Sequence, residues 1–344
     1  MIACPVPFDE GATVQLGHGS GGVMMHRLLE QVVFPALGDS PSRAHHDGAV
    51  FTAGGARLAF TTDSYVVRPR FFPGGDIGSL AVHGAVNDLA MCGARPLHLS
   101  VGLILEEGLP LEELRRILES LRRAADEAGV RIVTGDTKVV DRGKGDGLFI
   151  NTAAIGLVEH TLEIGPESIR EGDIILLSGD IGRHGIAVLA AREGLAFETT
   201  IQSDSAPLHD PVLALLQAGL PVHCLRDLTR GGLAAALKEL MRDSGLSARI
   251  READIPVEPQ VHGACEMLGL DPLHVANEGR MIVLLPAEHA DEALVLLRQF
   301  PVSQNAVRIG HILGGKKGTV VLESIIGTSR VVDMLHGEQL PRIC

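Results

Sequence analysis

The chain has 344 residues, enough at about 150 per domain for roughly two domains. Hydrophobic residues make up 45% and charged residues 21%, which supports a packed core and excludes disorder over most of the length. A net charge of −13, no Trp and a single Tyr exclude a sequence-independent nucleic-acid binder and a binder of anionic membranes.

Met1–Pro5 opens with neither a basic run nor an apolar stretch, so no signal peptide is expected, and no apolar run reaches the ~20 residues of a membrane helix. Gly17–Gly22 precedes a helical stripe of Met24, Met25, Leu28, Leu29, Val32 and Val33. Arg57–Thr62 is predicted as a strand that ends at Asp63. Residues 77–92 form an almost wholly apolar helix, closed by Gly93 and Pro96. A strand over Leu97–Leu105, an amphipathic helix over Leu111–Ala128, and strands over Val130–Gly135 and Leu148–Val158 follow. Gly165-Pro166 and Glu171-Gly172-Asp173 mark a break. The pattern restarts with strands at Ile174–Ser178, Val222–Leu225, Arg280–Leu285, Val307–Ile312 and Thr319–Leu322, and helices at 184–193, Val212–Ala218 and 232–242. The domains are therefore drawn as 1–165 and 166–335, with an aperiodic tail over 336–344 whose nine residues span about 30 Å when extended.

The five cysteines are Cys4, Cys92, Cys224, Cys265 and Cys344. Their odd count, wide spacing and lack of a CxxC pair argue against a disulfide framework or structural zinc, and for a cytoplasmic setting. Asp88 carries the only formal charge between Asp76 and Arg95, inside an apolar helix, where a carboxylate needs a partner. Asp63 and Asp136 each follow an apolar strand, and Asp47 sits in a glycine-flanked turn. Carboxylates gathered in one crevice call for a hard cation such as Mg²⁺, which shares oxygen ligands with phosphates. Taken singly, each of these aspartates also fits a simple turn or helix cap. The backbone N–H groups of Gly17–Gly22 could wrap phosphate oxygens, although the run lacks the Gly-Lys-Ser/Thr ending of a P-loop. Asp227–Gly232 leads into a helix whose N-terminus would attract an anion. Cys344 would be a mobile nucleophile as a thiolate, with its own terminal carboxylate opposing ionisation and Arg342 favouring it.

These segments recur together, in order, in one family. Gly17–Gly22, Asp47-Gly48-Ala49, Thr61–Tyr65, Asn87–Ala94, Gly135–Val140, Arg226–Gly232, Asn277–Arg280 and the terminal Pro341-Arg342-Ile343-Cys344 resemble the HypE carbamoyl dehydratases of NiFe-hydrogenase maturation. That family lies within the aminoimidazole-ribonucleotide-synthetase-like, ATP-using superfamily. The resemblance implies a two-domain α+β fold, with the first domains of two chains pairing into a dimeric β-barrel. It implies ATP and Mg²⁺ as cofactors. Asp47, Asp63, Asp88 and Asp136 are then metal and phosphate residues, and Gly17, Gly19, Ser20, Gly21 and Gly22 cover the phosphates. Thr137, Asp227 and Gly231 complete the nucleotide site. Cys344 would receive a carbamoyl group from the carbamoyltransferase HypF, and its cyanide would pass to a HypC–HypD complex. Glu278 and Lys138 are the candidate bases; Lys138 otherwise clamps phosphate, and Glu278 otherwise pairs with Arg280 or another surface cation. One departure is Arg183, where an acidic residue is expected. The competing expectations are another synthetase or kinase of the superfamily and a non-catalytic nucleotide-binding scaffold.

Overall fold

The computed structural model describes residues 13–38, 46–195, 200–315 and 318–335. It has a two-domain α+β architecture, each half built around its own sheet. Cys344 and the rest of 336–344 lie outside the described residues.

A helical segment opens the first half: α1 (Val23–Leu28), a wider turn over Leu29–Val33, then α2 (Phe34–Leu37). None of its residues is buried. Strands β1 (Ala49–Ala53) and β2 (Ala56–Tyr65) follow, then the short pair β3 (Phe71–Phe72) and β4 (Gly75–Asp76). Asp76 starts helix α3 (Ile77–Met91) by accepting from the amides of Gly78 at 2.7 Å and Ser79 at 3.1 Å, so free helix-end donors are satisfied within the chain. Beyond it come β5 (Ala94–Glu106), α4 (Leu111–Glu127), β6 (Arg131–Val140) and β7 (Leu148–Val158). The sheet runs β1-β2-β7-β5-β6. Only β5 and β6 are parallel, because α4 carries the chain back across the sheet between them. Helix α3 is buried almost throughout, held between this sheet, α4 and the second half.

Two strands run further than the sequence suggests. β2 continues through Asp63 to Tyr65, paired to β7 as far as Ile150, and β6 continues through Asp136 to Val140 beside β5. Both aspartates therefore lie within strands rather than after them. Pairing with a neighbouring strand extends each ladder past the point where the apolar run ends.

The second half contains β8 (Ile174–Leu177), α5 (Arg183–Glu193), α6 (His209–Gln217), β9 (Cys224–Asp227) and α7 (Gly232–Ser244). It continues with β10 (Ser247–Arg251), α8 (Pro259–Leu268), β11 (Met281–Leu285) and α9 (Ala290–Leu297), then β12 (Val307–Leu313), β13 (Thr319–Glu323) and β14 (Ser329–Val332). Its sheet runs β14-β13-β10-β12-β8-β11-β9. β8 and β11 are buried along their whole length, which explains their unbroken apolar sequences. Ala90 and Met91 of α3 enter the same apolar cluster as Leu225 and Met281, so the two halves share packing beside β9. Among the described residues no helix is long and apolar enough to cross a membrane.

Candidate active site

A pocket opens where the two halves meet, at the C-terminal end of β9. It is lined by Gly21, Met25 and His26 of the first helical segment, by Asp47, by Asp63 and Tyr65 of β2, and by Asp88 of α3. The second half contributes Arg226 and Asp227 of β9, Thr229, Arg230, Glu239 and Glu278. Four successive residues of β2, Thr62 to Tyr65, border the pocket, so the end of the strand rather than one of its faces supplies this wall. Thr61 and Tyr65 are buried, with Asp63 between them in the alternation, while Thr62 and Ser64 are exposed. The Thr61 hydroxyl donates to Asp88 Oδ2 at 2.6 Å, which ties the helix carboxylate to the strand.

The carboxylates crowd one another. Burial pushes Asp88 well above the usual carboxylate range; the charges of Asp227, Asp63 and Asp47 add to this, and the Thr61 hydroxyl opposes it. Asp227 is pushed up to about 8, by burial first and then by Asp47, with Arg226 opposing. Glu278 is raised well above its ordinary value by burial and by Asp227, Asp63 and Asp204. Asp47 Oδ1 pairs with Arg226 Nε at 3.2 Å, while its Oδ2 is buried with no hydrogen-bond partner among the described residues. Among the described residues no three carboxylates stand close enough to enclose a metal ion by themselves, so the partnerless oxygen suits a hard cation that takes its other oxygen ligands from phosphate.

Glu278 is positioned through its backbone. Its amide donates to Asp204 Oδ1 at 3.3 Å, and its carbonyl accepts from Asn87 Nδ2 at 3.2 Å. Next to it, a Cβ on Gly279 would stand 1.9 Å from the carbonyl oxygen of Asp204, so only glycine allows this approach. The alternative pairing with Arg280 does not form. Arg280 binds Asp180 at 2.7 Å instead, and Asp180 also binds Arg183. Arg183, the departure noted in the sequence, thus pairs within its own helix start and lies 3.8 Å from Glu258.

The structure brings Gly21, Asp47, Asp63, Asp88, Asp227 and Glu278 together around this pocket. Gly17, Gly19, Ser20, Gly22 and Gly231 lie in adjoining segments and do not line it. Asp136, Thr137 and Lys138 lie on exposed β6, where Lys138 Nζ is 3.3 Å from Asp136. The Thr137 amide and then Lys138 hold Asp136 below the ordinary carboxylate range. The reason for their separation is the strand order: Ser64, Asn151, Gly102 and Asp136 form one cross-strand row, with β7 and β5 between β2 and β6. Three strand spacings place Asp136 about 14 Å from Ser64. Sequence reasoning missed Arg226, Glu239, His26 and Tyr65. Arg226 stood inside a quoted motif; Glu239 and His26 carried no local signal.

The last described residue, Leu335, lies beside the pocket rim: its carbonyl accepts from the Val23 amide at 3.4 Å. A Cβ on Gly22 would stand 2.6 Å from that same carbonyl oxygen.

Family models describe the same two halves. The AIR synthase related protein N-terminal domain matches residues 45–158, and the C-terminal domain matches 170–323. The carbamoyl dehydratase HypE of Azotobacter vinelandii is 52% identical over 332 residues, covering 96% of this chain and 97% of that one. The chain belongs to the HypE carbamoyl dehydratase family. Among solved structures, a hydrogenase maturation protein HypE in complex with ATP is 47% identical, with a TM-score of 0.82, covering 96% of this chain and all of the other. A HypE–HypF complex contains a chain 44% identical with a TM-score of 0.85, covering 90% of this chain and 99% of that chain. The family's members are carbamoyl dehydratases of hydrogenase maturation, and this chain matches them over nearly its full length.

Proposed function

We propose that the chain dehydrates a carbamoyl group carried on Cys344 to a thiocyanate at the expense of ATP, and so supplies the cyanide ligand for NiFe-hydrogenase maturation in the cytoplasm. The observation that carries this reading is the convergence of Asp47, Asp63, Asp88, Asp227 and Glu278 on one pocket, with Leu335 on its rim. Nine further residues, at about 3.3 Å each, give the terminal thiol ample reach from that point.

A thiocarbamate holds water poorly disposed to leave, because hydroxide is a poor leaving group. Transfer of the ATP γ-phosphoryl group to the amide oxygen releases ADP and turns that oxygen into a phosphate leaving group. Loss of both protons from nitrogen, with the C–O bond breaking toward phosphate, leaves S–C≡N. Glu278, buried and with a raised proton affinity, is suited to take a proton from that nitrogen. Mg²⁺, held by Asp47, Asp63 and Asp88, would offset charge on the transferring phosphoryl group. Gly21 lines the pocket, so the glycine-rich segment is placed to cover the phosphates in this reading.

Asp136, Thr137 and Lys138 keep a role in this reading only across a pairing of two chains. Support comes from the outer face of the first sheet, where Phe60 and Ile104 are exposed on the same side as Asp136 and Lys138 of the open edge strand β6. A homodimer built on that face would cover these residues and form the shared barrel. We also assign the domain division near residue 165, HypF as donor of the carbamoyl group, and HypC–HypD as acceptor of the cyanide.

Intact-mass spectrometry of the carbamoylated chain with MgATP tests the reaction. Loss of one water is expected, mapped to Cys344; an unchanged mass, or a label on Cys92, refutes it.

A further inference from the structure

The helical segment over Val23–Leu37 buries none of its own residues, yet it lines the pocket through Met25, His26, Leu29, Glu30 and Phe34. Its docking rests heavily on polar contacts with α7. His26 Nε2 lies 2.9 Å from Glu239 Oε1, and Glu30 lies 3.9 Å from Arg242. The other oxygen of Glu239 binds the guanidinium of Arg226, whose Nε in turn holds Asp47 Oδ1 at 3.2 Å. Four side chains from four separate segments thus form one line: His26, Glu239, Arg226, Asp47. All four are largely shielded, with side-chain exposures of 18%, 12%, 18% and 8% in that order.

Each link constrains the next. Glu239 has one oxygen for each partner, so a neutral amide there cannot accept from both. Arg226 is planar and forked, so it can span two carboxylates at fixed angles where lysine cannot. Because Arg226 takes Oδ1 of Asp47, the carboxylate is turned so that Oδ2, buried and partnerless, remains for another ligand. We propose that Arg226 and Glu239 are positioning residues that couple two events: the closing of the glycine-rich helical segment over the pocket, through His26, and the orientation of Asp47 toward its ligand. The second event rests on the reading of Asp47 as a cation-site residue; the first does not.

The test uses the full chain with His26→Ala, Glu239→Gln and Arg226→Lys. In ligand-free protein, His26→Ala and Glu239→Gln should speed amide exchange over residues 23–37 at least fivefold. His26→Ala should leave exchange in β9 and α7 at the wild-type rate. In the ATP-dependent reaction, both should raise the KM for ATP more than they lower kcat. Glu239→Gln and Arg226→Lys should also raise the half-saturating Mg²⁺ concentration severalfold, and His26→Ala should not. Wild-type exchange in the 23–37 segment of both His26→Ala and Glu239→Gln overturns the latch. An unshifted Mg²⁺ dependence in Arg226→Lys overturns the coupling to Asp47. Failure of the unmodified chain to bind MgATP would instead strike the functional reading of the pocket, while ligand-free exchange would still decide the latch.

Discussion

Replacing Asp227 by Asn should stabilise the cation-free protein. Asp227 is buried, and its carboxyl is pushed from an ordinary 3.8 up to about 8, chiefly by burial and by Asp47. The unfolded chain therefore releases this proton near pH 4, whereas the folded chain keeps it until near pH 8. Across that interval the unfolded state binds fewer protons, so stability falls as pH rises, by about 1.4 kcal/mol per pH unit for one group. From pH 4 to pH 7 this amounts to about 4 kcal/mol that an asparagine does not lose. The attraction of Arg226 for the carboxylate and a 3.4 Å hydrogen bond from the Thr229 hydroxyl oppose the shift and are already contained in it. The net gain is therefore up to about 4 kcal/mol at pH 7, shrinking toward zero near pH 4, where both states hold the proton. Urea unfolding in the presence of a chelator, followed by circular dichroism at both pH values, measures it. With MgATP the order should reverse, because a cation draws its stabilisation from the carboxylates. The reasoning is refuted by a variant less stable than wild type at pH 7 without cation, or by a difference that does not narrow toward pH 4.

Three further outcomes follow from the same geometry. Glu278→Gln should retain ATP affinity while dehydration, read as the 18 Da mass loss, slows by about 10²-fold or more; an unchanged rate removes Glu278 as base. Asn87→Ala should destabilise by roughly 2–4 kcal/mol in urea, because it strands the Leu208 amide and the carbonyls of Ala206 and Glu278, which Asn87 binds at 2.8, 3.1 and 3.2 Å. If Asp136 serves the pocket of a second copy, then mixing inactive Asp88→Asn and Asp136→Asn chains should restore about a quarter of wild-type activity, since half of the dimers carry one intact site. No recovery after mixing by denaturation and refolding would place each site within a single chain.

Much of the local structure was legible in the sequence. The apolar run at 77–92 became α3, closed at Gly93, and Leu148–Val158 became β7 with its bounds unchanged. Asp88 stood out because a single charge in a buried helix must meet a partner, and it meets the Thr61 hydroxyl and the neighbouring carboxylates. These features are local: periodicity of 3.6 or 2 records which face of an element is buried. Strand β10 and helices α8 and α9 escaped notice because each is short, five, ten and eight residues, too few turns or alternations for a period to stand out.

Residues 47, 63, 88, 227 and 278 meet only because α3 and β9 pack together across the two halves, and no spacing along the chain encodes that contact. The same packing turned Glu278 away from Arg280, whose guanidinium went to Asp180. Strand order, equally invisible in the sequence, carried Asp136 three strands from the pocket wall to which its motif assigns it. Sequence alone thus determined which residues carry chemistry and which elements bear them, because both depend on neighbours a few positions away. Tertiary structure decided which of those residues share a site, and linked His26, Glu239 and Arg226 to Asp47, because electrostatic contact depends on distance in space.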